Sequence, residues 1–344
     1  MGKINKLKVG IAGYGVVGKK RRKYIDENPL LELVVVSDIN FPEDGLFPDG
    51  VHFCNDYKKL IEKELDVLFI SLPNNLAAKA TILGLENNCH VFCEKPPSRN
   101  VIELKEVIEF ENKKKNLKLK YGFNHRYHDS VKKVKEIINS GKFGKVMSFR
   151  GVYGKSSIIP FGSGWRSEKK YAGGGILLDQ GIHMLDLVRY FSCDYDEINS
   201  LISNDYWGHD VEDNAFILMK SKEGHIASLH STATQWQHRF RLEIILKEGL
   251  LELSGILSGS KSYGSEKLKI IAREDGKSVG SQEENSFTFL NDNSWKDEID
   301  EFANCIINDK EIENGTSHDA LKVMEMIFNV YKSDKNWWET FKNN

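Results

Sequence analysis

The segment LKVGIAG (7–13) is a run of apolar and β-branched residues, which suits a strand buried on both faces. LELVVVSD (31–38), DVLFISLP (66–73), HVFCEKP (90–96) and LKLKYGFNH (117–125) repeat that character, and helix-like patterns fill the intervals near 16–28, 56–64, 75–88 and 100–115. Strands alternating with helices predict βαβ units and a parallel sheet. After about residue 145 the pattern changes. A glycine-rich stretch, 151–172, reads as irregular and leads into a helix over GGGILLDQGIHMLD (173–186). Strand-like runs follow at 196–204, 211–220, 225–235, 239–247, 250–254 and 267–273 with little helix between them, which predicts a largely antiparallel sheet. Helices are expected at 294–309 and 317–335, the second opened by a capping residue in Thr316-Ser317-His318-Asp319. The predicted fold class is therefore α/β. The first domain covers 1–126, and a second, α+β domain with a mostly antiparallel sheet covers 127–344, its C-terminal helices free to pack back on the first domain.

Composition narrows the classes. A length of 344 residues suits two domains, and 40% hydrophobic with 28% charged residues is an ordinary globular balance. A formal net charge of -2 leaves no electrostatic footprint for nucleic acid or an anionic membrane. No apolar run approaches the roughly 20 residues that span a bilayer, and the basic N-terminus reads as a first strand rather than a signal peptide. Five scattered cysteines, 54, 89, 93, 193 and 305, lack zinc or redox spacing; they read as reduced thiols of a cytoplasmic protein.

Candidate chemistry begins with GYGVVG, residues Gly13, Tyr14, Gly15, Val16, Val17 and Gly18. The motif alone is weak, but it follows a buried strand and opens a helix. There the first glycine allows a tight turn, the second lets backbone approach a pyrophosphate, and the third permits close helix–strand packing. The helix N-terminus attracts the anion. Asp38 ends the second strand about 20 residues on, where this fingerprint places an acid for the ribose 2′-hydroxyl. Its carboxylate would repel a 2′-phosphate, and Ile39, Asn40 and Phe41 supply no cation, so NAD is expected over NADP. A plain strand-end role for Asp38 is the alternative.

With Glu94-Lys95-Pro96, Trp165-Arg166, Gly174-Gly175 and Asp179-x-Gly181-x-His183-x-x-Asp186, the chain resembles the glucose–fructose oxidoreductase/inositol dehydrogenase (Gfo/Idh/MocA) family. The likeness covers nearly the whole chain, including NAFILMKSKEGHIASLH (214–230). It implies that 1–126 is a Rossmann dinucleotide-binding domain and 127–344 an α/β domain with a large open, mostly antiparallel sheet whose free face builds a dimer or tetramer, and it implies oxidation or reduction of a sugar, cyclitol or related carbon–oxygen centre by nicotinamide. It assigns Lys95, Asp179 and His183 to catalysis and substrate, and Pro73, Asn74 and Glu94 to cofactor-contacting loops. The Lys95–Pro96 bond is expected to be cis. One departure is Leu76-Ala77, where relatives often have Leu-His; it bears on loop packing and cofactor retention.

These residue types suit hydride transfer. A cofactor takes the hydride and the protein must take the proton. Histidine titrates near neutrality, so His183 is the expected base, or the acid in reverse. Asp179, four residues earlier, would share its helical face, and Lys95 can polarise the reacting oxygen. Gly181 sits within the helix at a cost of about 1 kcal/mol relative to alanine, which fits close approach of a nicotinamide or sugar. The plainer alternative is an amphipathic helix with a structural Asp–His pair. No metal is expected, since one Asp and one His are half a ligand set. Trp165 and Arg166 either meet the cofactor or lie on the surface. Asn124 and Arg126 end a predicted strand at the side where α/β sheets bind ligands; Asn124 is assigned to the cofactor and Arg126 and Tyr153 to substrate, with Lys155, Gln235 and His238 as further candidates. Two other functions fit the same residues: an NAD-assisted glycoside-cleaving enzyme, and a non-catalytic dinucleotide-binding regulator.

Overall fold

Leu7–Ala12 forms β1 in the computed structural model of the chain, which describes residues 5–161, 164–258, 262–273 and 280–343. α1 (Val16–Glu27) and β2 (Leu31–Ser37) follow, then two short strands, β3 (Gly45–Leu46) and β4 (His52–Cys54). β5 (Val67–Ile70), α2 (Asn74–Glu86), β6 (His90–Glu94), α3 (Val101–Glu111) and β7 (Leu119–Gly122) complete the alternation. The sheet order is β3-β4-β2-β1-β5-β6-β7, parallel except for the β3–β4 pair. Successive strands step outward from β1 in both directions, so the order reverses between β1 and β5. The carboxyl ends of the strands at such a reversal are where open α/β sheets hold ligands. The segment read as a helix at 56–64 is instead a 3-10 stretch, Tyr57–Lys63, opened by Asp56, whose carboxylate accepts from Lys58 N–H at 2.9 Å.

The second half carries a helix that the hydrophobic pattern left unassigned, α4 (Asp129–Ser140), whose buried residues Val131 and Val134 lie three apart and which stops at Gly141 with φ 67°. β8 (Val146–Ser156) corrects the reading of 151–172 as irregular: its last six residues run into that stretch as regular strand. Gly151 and Gly154 are there for packing, because a Cβ would stand 3.0 Å from Leu229 and Met184 at the first and 2.5 Å from Gln235 at the second. After α5 (Lys169–Ala172), a π turn, Leu177–Gly181, runs into α6 (Ile182–Phe191). The strands β9 (Glu197–Ser203), β10 (Asn214–Lys220), β11 (Ile226–Gln235), β12 (Arg239–Leu246), β13 (Gly249–Ser254), β14 (Glu266–Arg273) and β15 (Gln282–Phe289) follow. The order is β15-β14-β13-β12-β8-β11-β10-β9, with β8–β11 the parallel pair in an otherwise antiparallel sheet. Along β10, Ala215, Ile217 and Met219 are buried while Phe216 and Leu218 face out, the period-two alternation of a sheet with one covered face. β15 escaped the pattern reading because QEENSFTF is exposed almost throughout and carries no buried face.

Three helices close the chain: α7 (Ser294–Ile307), α8 (Ser317–Ser333) and α9 (Lys335–Asn343). α8 opens as expected, with Thr316 Oγ1 accepting from Asp319 N–H at 3.0 Å and Asp319 Oδ2 accepting from Thr316 N–H at 3.2 Å. The described residues form two compact units. One ends at Asn124 and includes Trp295–Leu321; the other comprises His125–Ser294 and the residues from Lys322 on. A single division at 126 therefore misses α7. Its Ile299, Phe302 and Ala303 join the core of the first unit with Val9, Ile11, Phe69 and Phe92, and Phe302 lies edge-on to Phe69 and Phe92 at 6.0 and 5.6 Å. In the second unit, the C-terminal aromatics fill space: Trp337 and Phe341 are buried, and Phe341 lies 4.8 Å from Tyr331. Among the described residues no helix is long and apolar enough to cross a membrane.

Candidate active site

In the first unit the fingerprint loop has the shape a pyrophosphate requires. Gly13 adopts φ 90°, a conformation that side chains rarely take, and a Cβ there would also stand 2.4 Å from Ser71 O. Gly18 lies against the Gly13 carbonyl, whereas Gly15 faces open space, with nothing within 4 Å of a Cβ position. Gly15 is also the N-cap of α1 and offers no side-chain acceptor to the first amides, so the positive end of the helix is left for an anion. Val16 is 89% exposed beside it, and Val17 is half-buried. Asp38, just past β2, is tied to the loop: its Oδ2 accepts Tyr14 N–H at 3.1 Å, and its Oδ1 accepts Asn40 N–H and Nδ2 at 3.0 and 2.7 Å. Tyr14 leans on Phe41 and Phe47, which holds that corner in place. Pro73 is the N-cap of α2, and Asn74 and Ala77 are buried in its first turn, so the alanine at the departure from Leu-His fills a packed position.

Glu94 and Lys95 lie at the carboxyl end of β6, and the Lys95–Pro96 bond is cis. The Glu94 carboxylate is directed to Arg21, whose Nε donates to it at 2.6 Å while its Nη2 donates to Glu298 at 2.7 Å. The guanidinium is stacked between Phe92 and Trp295 at 4.4 and 4.3 Å. This corrects the side-chain part of the Glu94 assignment: its charge serves a buried ion cluster, an arrangement that neither EKP nor the pattern around Arg21 reveals. Asn124, the last residue of this unit's N-terminal segment, is buried.

In the second unit the π turn changes the expected geometry of the acid–histidine segment. Asp179 and Gly181 fall within it, so the interval to His183 is not one plain α turn. Ser231 Oγ donates to Ile176 O at 3.2 Å, a hydroxyl inserted just where the turn widens. At Gly181 a Cβ would meet Ser231 Oγ at 2.7 Å and Leu177 at 2.8 Å, so β11 is a close neighbour of the glycine. The glycines ahead are likewise pressed by protein. A Cβ at Gly174 would stand 2.3 Å from Tyr331 Oη and one at Gly175 2.0 Å from Glu212 O.

Glu212 is the fastening of this segment. Its carboxylate accepts Gly175 N–H at 2.7 Å, Leu177 N–H at 2.9 Å and Tyr331 O–H at 2.8 Å, and burial lifts it to about 7 despite these donors. A raised carboxylate holds a proton in the folded state that the unfolded chain releases. Stability from this group is therefore full below the ordinary carboxylate range and falls as pH rises towards about 7, by up to about 1.4 kcal/mol per pH unit. Thermal melts at pH 5 and pH 7.5 check this: the wild type is expected to lose more stability across the interval than Glu212→Gln.

His183 is buried and stacks on His125 with ring centroids 3.7 Å apart and planes at 12°. His125 Nε2 lies 3.2 Å from Tyr153 Oη, and Tyr153 packs edge-on against Tyr263 at 5.2 Å. Tyr263 O–H donates to Gln180 Oε1 at 3.0 Å. Burial, with the neighbouring Asp179 charge adding to it, pushes both phenols up, so they remain proton donors. Arg166, in the 3-10 turn Gly164–Ser167, brings Nε to 4.0 Å from Asp179 Oδ1 and its guanidinium over the Trp165 ring at 4.3 Å. Lys155 is half-buried, and burial holds its amine below the usual lysine range against the pull of Asp179. His238 stands edge-on to Tyr263 at 4.8 Å and is lowered by burial and by Lys155. The sequence candidates Tyr153, Lys155, Arg166, Asp179, His183 and His238 thus share one region of this unit.

Two candidates are engaged by their own unit. Arg126 is buried in a bidentate pair with Asp186, 2.9 and 2.6 Å, under Tyr190; its guanidinium is used by the fold. Gln235 packs over Gly154 and supports β8. Tyr263 and Glu212 were missed because LSGSKSYGSEK and HDVEDN carry no periodic or motif signal.

Comparison with known proteins follows this division. A model described as "Oxidoreductase family, NAD-binding Rossmann fold" matches residues 7–123, and one described as "GFO/IDH/MocA C-terminal domain" matches 131–252, together more than half of the chain. Levoglucosan dehydrogenase of Pseudarthrobacter phenanthrenivorans is 32% identical over 43% of this chain and 39% of its own. D-glucoside 3-dehydrogenase of Escherichia coli is 30% identical over 54% and 53%. Myo-inositol 2-dehydrogenase of Thermotoga maritima is 26% identical over 71% and 74%. The chain thus matches about half or less of the length of the first two. A solved structure of levoglucosan dehydrogenase in complex with NADH has the same fold, with a TM-score of 0.81, 21% identity and coverage of 97% of this chain and 98% of that one.

Proposed function

The chain belongs to the Gfo/Idh/MocA oxidoreductase family, and on that premise we propose that it is an NAD-dependent dehydrogenase acting on a hydroxyl of a sugar, sugar nucleotide or cyclitol. The observation that carries the reading is that one chain holds both an uncapped glycine cradle fastened to Asp38 and a buried imidazole, His183, beside Asp179 in sequence. Relatives named levoglucosan, D-glucoside 3- and inositol 2-dehydrogenase support the substrate class.

The cradle fits the cofactor: open space at Gly15, the amides at the start of α1 and the Asp38 carboxylate match a pyrophosphate and a ribose diol. When bound, nicotinamide accepts the hydride from the carbinol carbon. Everything else falls to side chains. His183 takes the hydroxyl proton in oxidation and returns it in reduction. Lys95 stabilises charge on the reacting oxygen. Asp179, with Arg166 4.0 Å away, orients a substrate hydroxyl. The free cysteines support a reducing, cytoplasmic setting. Exposed Leu201, Phe216, Leu218 and Ile226 support self-association into a dimer or tetramer.

Two outcomes follow. NAD is expected to give at least tenfold higher kcat/KM than NADP, a difference of about 1.4 kcal/mol, because Asp38 repels a 2′-phosphate; paired steady-state assays check it. The function itself is tested by incubating purified protein with NAD and a panel of polyols, aldoses, glycosides and nucleotide sugars while following the reduced-nicotinamide absorbance. Accumulating NADH supports the proposal. Cleavage of aryl glycosides without net NADH would replace it with the glycoside-cleaving reading, and tight NAD binding without turnover would replace it with a regulator.

A further inference from the structure

The His125–His183 stack asks for its own explanation. Two imidazoles lie nearly parallel with centroids 3.7 Å apart in a buried site. Neutral rings gain by stacking, but two imidazolium ions at that separation repel strongly in a medium less polar than water. We propose that His125 is a positioning residue for His183: the stacked pair carries at most one positive charge around neutrality, and His125 thereby fixes both the plane and the protonation of the catalytic imidazole. The inference rests on the function proposed above only for the word catalytic; the coupling itself belongs to the pair.

The surroundings favour this. Tyr153, on β8, brings its hydroxyl to 3.2 Å from His125 Nε2 and sets the rotation of that ring. Burial makes Tyr153 a lasting donor rather than a phenolate. Phe240, on β12, closes on both Tyr153 and His125, at 5.2 and 6.0 Å. Three other titratable groups packed nearby have partners among the described residues. His128 stands edge-on to His125 at 5.4 Å, but its Nδ1 lies 2.7 Å from Glu266, on β14, whose carboxylate is held below its usual range by that contact. Asp186, one turn beyond His183, is matched by Arg126. Asp179, on the π turn, has Arg166 at 4.0 Å. Glu266 thus faces His128, Asp186 faces Arg126 and Asp179 faces Arg166, while the two stacked rings lie against each other.

Groups coupled this closely titrate in two macroscopic steps that belong to the pair. The test is an NMR titration of 15N-histidine-labelled full-length protein from pH 5 to 9, without substrate or turnover, so that its result does not depend on the reaction. In wild type, His183 is expected to show two steps separated by about one pH unit or more. In His125→Phe, which keeps an aromatic ring against His183, it is expected to collapse to a single step. Tyr153→Phe, which leaves both imidazoles and removes one hydroxyl, keeps two steps and moves their midpoints. Where turnover is measurable, the low-pH limb of kcat/KM follows the same change in His125→Phe. A single-step or pH-independent His183 signal in wild type overturns the proposal, as does a two-step curve that persists in His125→Phe. If His125→Phe does not fold, two steps in wild type whose midpoints are unmoved in Tyr153→Phe overturn it as well. Absence of any dehydrogenase activity, with the coupled titration intact, would instead count against the proposed function alone.

Discussion

His183→Asn and Lys95→Met are each expected to lower turnover by about 10²–10⁴-fold, the usual weight of a lost proton-transfer or charge-stabilising group. Removing hydride from a carbinol leaves a carbonyl only if the hydroxyl proton also departs. On the proposed mechanism, His183→Asn removes the group assigned to take that proton near neutrality. Lys95→Met removes the ammonium assigned to the charge that develops on the reacting oxygen. The two substitutions act on the same step, so the double variant is expected to be little worse than the poorer single one. NAD affinity, measured by fluorescence titration, should survive in both, because the glycine cradle and Asp38 are untouched. Turnover indifferent to both substitutions would remove these residues from the chemistry.

Arg21→Met is expected to cost about 3–5 kcal/mol of stability, the range for removing one partner from a buried ion cluster. Arg21 is fully buried on α1 between Phe92 and Trp295, with Glu94 and Glu298 on its donors. Methionine keeps much of the volume but takes the guanidinium away from between two carboxylates, leaving Lys120 as a cation acting on Glu298. Burial already lifts Glu298 to about 7, so the deficit should shrink at low pH, where protonation removes the repulsion. Denaturant melts at pH 5.5 and pH 8 measure both statements. A variant as stable as wild type would show the cluster to be unimportant for folding.

The fold was legible wherever burial imposes a period. Continuous apolar runs marked β1, β2, β5 and β6, and alternation marked β10 and β12. β15 stayed hidden because an exposed edge strand buries no face, and β8 looked irregular because its glycines answer to Leu229, Met184 and Gln235, residues far along the chain. The fingerprint loop was readable because its glycines meet local demands, a left-handed turn at Gly13 and contact between Gly18 and Gly13. The neighbours of Gly181 and Arg126 were hidden for the opposite reason. The partners that explain them, Ser231 and Asp186, lie 50 and 60 positions away, and nothing near either residue announces them. The π turn is a tertiary effect of the same kind, accompanied by a hydroxyl from β11. His125 had no motif of its own; its interest appears only once its ring is seen lying on His183.

The most direct measurement uses carbon-deuterated inositol and glucosides with NAD, followed by mass analysis of the cofactor. A dehydrogenase of this kind transfers the label to nicotinamide, one deuterium for each NADH formed, and His183→Asn slows the transfer by about 10²–10⁴-fold. Formation of NADH without label, or transfer undiminished in His183→Asn, would contradict the account.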